Sequence, residues 1–139
     1  MNLINVGTDI VECARIARMI ERHGEQFLYR VYTPMEIEYC QSHKGATERF
    51  AGRFAAKEAI LKALGTGWRQ GVSWLDMEIQ NRRTGQPIVA LGGVARVHAE
   101  RIGIGTIHIS ISHSRSQAIA FAAAVDQGSL PELSTPPAE

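Results

Sequence analysis

Arg49-Phe50-Ala51-Gly52-Arg53-Phe54-Ala55-Ala56-Lys57-Glu58-Ala59-Ile60-Leu61-Lys62-Ala63-Leu64-Gly65-Thr66-Gly67 is the stretch on which the fold turns. Its alanines, leucines and lysines are strong helix formers. Gly65-Thr66-Gly67 supplies the stop, so the pattern predicts one long helix over residues 47–64. Each residue advances about 100° around a helix, which gathers Phe50, Phe54, Leu61 and Leu64 on one arc facing a core. Lys57 falls inside that arc, where an ammonium is costly unless it reaches water or meets an anion. Arg53 and Lys57 stand one turn apart and repel, so a negative group should lie beside them; phosphate is the expectation. Glu58 and Lys62, also one turn apart, read in isolation as a surface ion pair worth a few tenths of a kcal/mol.

Upstream, residues 3–10 form a short apolar run whose end carries Gly7-Thr8-Asp9, the pattern of a strand with an aspartate at its C-terminal end. The period then changes. Val11, Ala14, Met19 and Ile20 outline the apolar face of a helix over residues 12–22, stopped by His23-Gly24. A short helix is expected at 25–29. Thr33-Pro34-Met35-Glu36 is a capping box with proline at the first helical position, opening a helix that reaches about residue 43.

Downstream, strands are expected at 75–81 and 88–91, joined by the turn Arg83-Thr84-Gly85-Gln86-Pro87. A helix over 94–101 follows Gly92-Gly93. Ile107, Ile109 and Ile111 alternate with His108, Ser110 and Ser112, the period of a half-buried strand. Residues 118–125 read as its antiparallel partner. The expected fold is therefore α+β: one small domain over 1–126, an antiparallel sheet packed by a long central helix. Residues 127–139, rich in proline, serine and glutamate, are expected to be a disordered tail.

Composition narrows the function. The chain has 139 residues, 45% hydrophobic and 21% charged, with a net charge of +1. That charge excludes holding nucleic acid by bulk electrostatics. No stretch approaches the ~18 apolar residues of a membrane span. The opening residues lack a basic leader, and Asp9 interrupts the apolar run, so no secretory signal is expected and the cytoplasm is the expected compartment. Cys13 and Cys40 fit no metal spacing and read as free thiols.

The chemistry-bearing residues are few. Asp9 at a strand end is by itself an ordinary turn residue. Brought against a helical Glu58, it would supply hard oxygens of the kind magnesium takes, with waters and phosphate oxygens completing the shell. His113, within Ser112-His113-Ser114, is a solvated loop histidine or an anion ligand. Arg15, Arg18 and Arg22 share one face of the first helix, either a solvated face or a reader of carboxylates and phosphates. His98 reads as structural or surface. No phosphate-binding P-loop, dinucleotide fingerprint, G-x-S-x-G elbow or H-E-x-x-H occurs.

These segments together resemble the holo-acyl-carrier-protein synthases, the small phosphopantetheinyl transferases. Val6-Gly7-Thr8-Asp9-Ile10-Val11-Glu12 is similar to the family's opening motif, and residues 53–67 are similar to its long central one. Phe27-Leu28-Tyr29-Arg30-Val31-Tyr32-Thr33 and His108-Ile109-Ser110-Ile111-Ser112-His113 resemble two weaker blocks. Trp68 stands where the family more usually has isoleucine.

The resemblance implies a 4'-phosphopantetheinyl transferase fold and the transfer of phosphopantetheine from coenzyme A to a serine of apo-acyl carrier protein, for fatty acid biosynthesis. It assigns Asp9 and Glu58 to magnesium and, with Lys62, to catalysis. Arg53, Lys57, Gly65 and His113 become candidates for binding coenzyme A, although for Lys57 a role in bracing the fold fits equally. Arg15, Arg18 and Arg22 would dock the acidic carrier protein. It further implies a homotrimer with active sites between subunits. The competing readings are a non-catalytic module that docks acidic helical proteins, and a pyrophosphatase acting on coenzyme A or nucleotides.

Overall fold

The computed structural model describes residues 2–127; the expected tail lies outside the described residues except for Gln127. The elements run β1 (Leu3–Glu12), α1 (Cys13–His23), α2 (Glu25–Val31), α3 (Pro34–Gln41), α4 (Ala46–Leu64), β2 (Met77–Asn81), β3 (Pro87–Leu91), α5 (Gly93–Arg101), β4 (Ile104–His113) and β5 (Gln117–Asp126). The expected α+β class is the one observed. A three-stranded antiparallel sheet of order β1-β5-β4 carries α4, and β2 and β3 form a separate antiparallel pair.

α4 lies at the centre because its neighbours are small. The inward residues of β5 are Ala118, Ala120, Ala122 and Ala124, all fully buried. On the helix, Ala51, Ala55, Ala59 and Ala63 are buried as well, so helix and sheet approach closely. Gly7 takes this furthest: a Cβ there would collide with the carbonyl oxygen of Ala59. Phe50, Phe54, Leu61 and Leu64 are all buried, as the helical arc requires. Gly65 ends the helix with φ 77°, its amide donating to Leu61 O and Lys62 O. The capping box of α3 is formed in both directions: Thr33 N donates to Glu36 Oε1 at 2.8 Å and Glu36 N to Thr33 Oγ1 at 3.3 Å.

Two expectations are corrected. The strand expected from residue 75 begins only at Met77, because Trp74–Asp76 forms a 3₁₀ turn capped by Ser73. On α1 the core contacts come from Cys13 and Ile16, while Ala14 is exposed and Met19 and Ile20 are only half-buried. Cys13 and Cys40 are buried, unpaired thiols. Burial holds the Cys40 thiol up at about 12. Among the described residues no helix is long and apolar enough to cross a membrane.

Among the described residues nothing covers the opposite face of the sheet. Val6, Ile10, Ile119 and Phe121 are each about half exposed, at 50%, 55%, 46% and 46%. Ile10 pairs with Ile119 across the β1–β5 register, so they form one patch rather than scattered residues.

Candidate active site

Asp9 points to the same side of β1 as Gly7 and Val11, the side that faces α4. Because the Gly7 backbone packs onto Ala59, its helical neighbour Glu58 is drawn toward Asp9. The carboxyl of Glu58 is held above the ordinary glutamate value, first by burial and then by repulsion from Asp9, with Lys62 and Arg15 pulling it down. Lys62 Nζ donates to the Thr8 carbonyl oxygen at 2.8 Å and lies 3.4 Å from Asp9 Oδ1. Asp9 and Lys62 thus touch where β1 crosses α4, and Glu58 lies near enough for the two carboxylates to repel. A hard cation between them relieves that repulsion, so the pair fits magnesium. Among the described residues no group of three or more His, Cys, Asp or Glu side chains converges, and magnesium requires only one or two protein carboxylates.

Arg53 and His113 lie elsewhere. They line a cleft with Tyr39, Arg49, Asn81 and Pro87, which includes none of Asp9, Glu58 and Lys62. Arg53 is 5% exposed and its guanidinium carbon stacks 4.2 Å from the centre of the Tyr39 ring. Its Nη2 donates to Asn81 Oδ1 at 2.6 Å and to Ile79 O at 3.3 Å. Among the described residues its buried Nε has no partner. Gly52 lets β4 close on the helix here, since an added Cβ would meet Ile111 at 3.1 Å. Arg53 and Glu58 are separated by about 140° around α4, and Asp9 and His113 sit on the opposite edge strands β1 and β4.

Lys57 is not available to a ligand. It is 0% exposed. Its ammonium donates to Val31 O at 2.6 Å, Glu36 Oε1 at 2.7 Å and Trp74 O at 3.2 Å, which uses all three hydrogens. Glu36 Oε2 in turn accepts from Ile79 N at 2.8 Å. The anion that Lys57 required is therefore Glu36 of the same chain rather than phosphate, and the expectation that Lys57 binds coenzyme A gives way to a bracing role. Burial lowers the Lys57 ammonium from its ordinary value, opposed chiefly by Glu36.

Gly65 is exposed and caps the C-terminal end of α4, three residues after Lys62. Arg15, Arg18 and Arg22 are all exposed on α1. Arg15 bends toward the site, its guanidinium carbon 5.5 Å from the centre of the Phe54 ring. Sequence reasoning missed Arg49, Tyr39 and Asn81 as cleft residues. Arg49 had a signal, standing one turn before Arg53 on the same helix face; the other two come from α3 and β2 and had none.

Comparison with known proteins bears on this arrangement. The model of the 4'-phosphopantetheinyl transferase superfamily matches residues 5–122. A holo-[acyl-carrier-protein] synthase of Solibacter usitatus is 48% identical over 118 residues, covering 85% of this chain and 94% of that protein. The crystal structure of the Neisseria meningitidis holo-[acyl-carrier-protein] synthase superposes with a TM-score of 0.83 at 34% identity, over 90% of this chain and 100% of that one. The Helicobacter pylori enzyme, solved in complex with coenzyme A, gives 0.77 at 33% identity, over 86% and 99%.

Proposed function

The chain belongs to the 4'-phosphopantetheinyl transferase superfamily, and from that premise we propose how its residues move phosphopantetheine from coenzyme A to a carrier protein. It is a holo-[acyl-carrier-protein] synthase: it transfers the 4'-phosphopantetheine group to a serine of apo-acyl carrier protein and releases adenosine 3',5'-bisphosphate, an activity that serves fatty acid biosynthesis. The observation that carries the site assignment is the meeting of Asp9, Glu58 and Lys62 where β1 crosses α4.

In this reading Asp9 and Glu58 hold magnesium, which supplies charge neutralisation and polarisation at the pyrophosphate when bound. Lys62 swings from the Thr8 carbonyl onto the reacting phosphate and stabilises the charge that grows there. The serine oxygen bonds to the phosphorus next to pantetheine, and the bond from that phosphorus to the adenosine 3',5'-bisphosphate leaving group breaks. Glu58 is the group of this chain placed to accept the serine proton. No serine–histidine–acid arrangement is needed, because the nucleophile belongs to the partner.

Arg53 and His113 take the phosphates of the adenosine half from the cleft that both line. They face a different side of α4 from the carboxylates. A site completed by the Arg53 and His113 of a neighbouring copy accounts for that separation. The uncovered patch of Val6, Ile10, Ile119 and Phe121 supports an assembly in which these sheet faces meet, a homotrimer. Gly65 lines the phosphate end of the loop after α4. Arg15, Arg18 and Arg22 steer and dock the acidic carrier. The catalytic unit is residues 1–126, working in the cytoplasm.

The test follows the leaving group. With coenzyme A, magnesium and apo-carrier, adenosine 3',5'-bisphosphate should appear by chromatography, and a carrier whose acceptor serine is alanine should yield none. Release with water alone would favour the pyrophosphatase reading. Carrier binding that survives Asp9→Ala and Glu58→Ala, without any release from the unaltered chain, would favour the docking module.

A further inference from the structure

The loop that leaves α4 is held in a backbone conformation it would not choose freely. Gly65, Gly67 and Gly71 take positive φ, and so does Gln70, the one non-glycine among the described residues to do so. Its angles are φ 68° and ψ 18°. This left-handed region is disfavoured for a residue with a Cβ, and it persists only where the surroundings over-determine it.

Those surroundings come from α5. Arg101 Nη2 donates to Gln70 Oε1 at 3.2 Å and to His98 Nδ1 at 2.6 Å. A guanidinium only donates, so Nδ1 is the acceptor and the imidazole proton sits on Nε2. Nε2 donates it to the Leu64 carbonyl oxygen at 2.9 Å. Leu64 is the last residue of α4, and its carbonyl is one of those a helix end leaves unsatisfied. Helix α5 thus grips the loop at its start through Leu64 and at its far side through Gln70.

We propose that His98 and Arg101 are positioning residues for the donor substrate: they fix the path of residues 65–71 and with it the backbone on which the coenzyme A phosphates rest. The proposal depends on the function given above. Neither residue touches the reacting atoms in it. The loop also reports on itself, because the chain has two tryptophans, and Trp68 in the loop stands against Trp74 with ring centroids 4.1 Å apart.

Arg101 and Gln70 are exposed, so Arg101→Ala and Gln70→Ala leave the core intact. Each should raise the KM for coenzyme A about fivefold with the carrier KM unchanged, and should shift tryptophan emission with no substrate present. The double variant should be no worse than Arg101→Ala alone, since the Gln70–Arg101 bond is already lost there. In a Trp68→Phe background the emission shift should vanish. Unchanged emission with a coenzyme A KM within about twofold of the unaltered chain, additive losses, or equal damage to both KM values would overturn the clamp. Calorimetric titration of coenzyme A without carrier separates the two readings. If the unaltered chain binds and transfers normally and Arg101→Ala matches it, the clamp alone fails. If the unaltered chain neither binds coenzyme A nor modifies carrier, the transferase reading fails and takes the clamp with it.

Discussion

The backbone of Gly7 in β1 lies directly against the carbonyl oxygen of Ala59 in α4, with no room for a side chain between them. This contact joins the opening motif to the central helix. It sets the distance at which Asp9, on the same side of β1, meets Glu58, the helical neighbour of Ala59.

Gly7→Ala should therefore cost stability and activity together. The new methyl meets backbone, which cannot rotate away, so strand and helix must separate. The expected loss is about 1–3 kcal/mol in chemical denaturation. Transfer should fall further than stability explains, because Asp9 retreats from Glu58. A loss below about 0.5 kcal/mol, the range of an ordinary surface change, would contradict the contact.

Lys57 and Glu36 form a fully buried pair with both side chains at 0% exposure and 2.7 Å between them. Removing one partner strands the other charge. Lys57→Met should lose about 3–5 kcal/mol, and Glu36→Gln added to it should recover part of that loss. A stable Lys57→Met whose only defect is a raised KM for coenzyme A would return Lys57 to the ligand.

These two contacts mark what could and could not be read from the chain. The Thr33–Glu36 capping box was legible because its bonds span one helical turn, and the bounds of α4 were legible from propensity and the closing glycine. The pairing of Glu36 with Lys57 was not: the box accounted for Glu36 locally, and the two come together only when α3 packs on α4. The late start of β2 was hidden by the apolar run after Ser73, whose capping of a 3₁₀ turn outweighs strand propensity at Trp74 and Leu75. Asp9, Glu58 and Lys62 were individually ordinary, and their convergence depends on a glycine whose role is visible only in the packing. Tyr39 and Asn81 reach the Arg53 cleft from α3 and β2, a meeting no local pattern announces.

Glu58→Gln should separate stability from activity. The Glu58 carboxyl binds protons more tightly folded than its ordinary value of 4.5, so ionising it works against the fold. Its stabilising contribution is full below that value and is lost as pH rises through the raised folded value. The variant should match the unaltered chain near pH 4 and exceed it in thermal stability at neutral pH without metal, while losing transfer. Magnesium should raise the melting temperature of the unaltered chain and not of the variant. A neutral-pH stability below that of the unaltered, metal-free chain would contradict the crowding of the two carboxylates.

Arg15→Ala with Arg18→Ala should raise the KM for carrier about tenfold or more and steepen with falling salt, leaving that for coenzyme A nearly unchanged. Steady-state kinetics at two ionic strengths checks this. Equal damage to both constants would show that Arg15 serves the Glu58 site rather than the carrier.

The central claim is tested most directly by weighing the acceptor. Apo-acyl carrier protein incubated with this chain, coenzyme A and magnesium should gain the mass of one phosphopantetheine in intact mass spectrometry. The gain should disappear with a chelator, with Asp9→Asn, and with Glu58→Gln. A carrier whose mass is unchanged, although the chain binds both it and coenzyme A, would contradict the account.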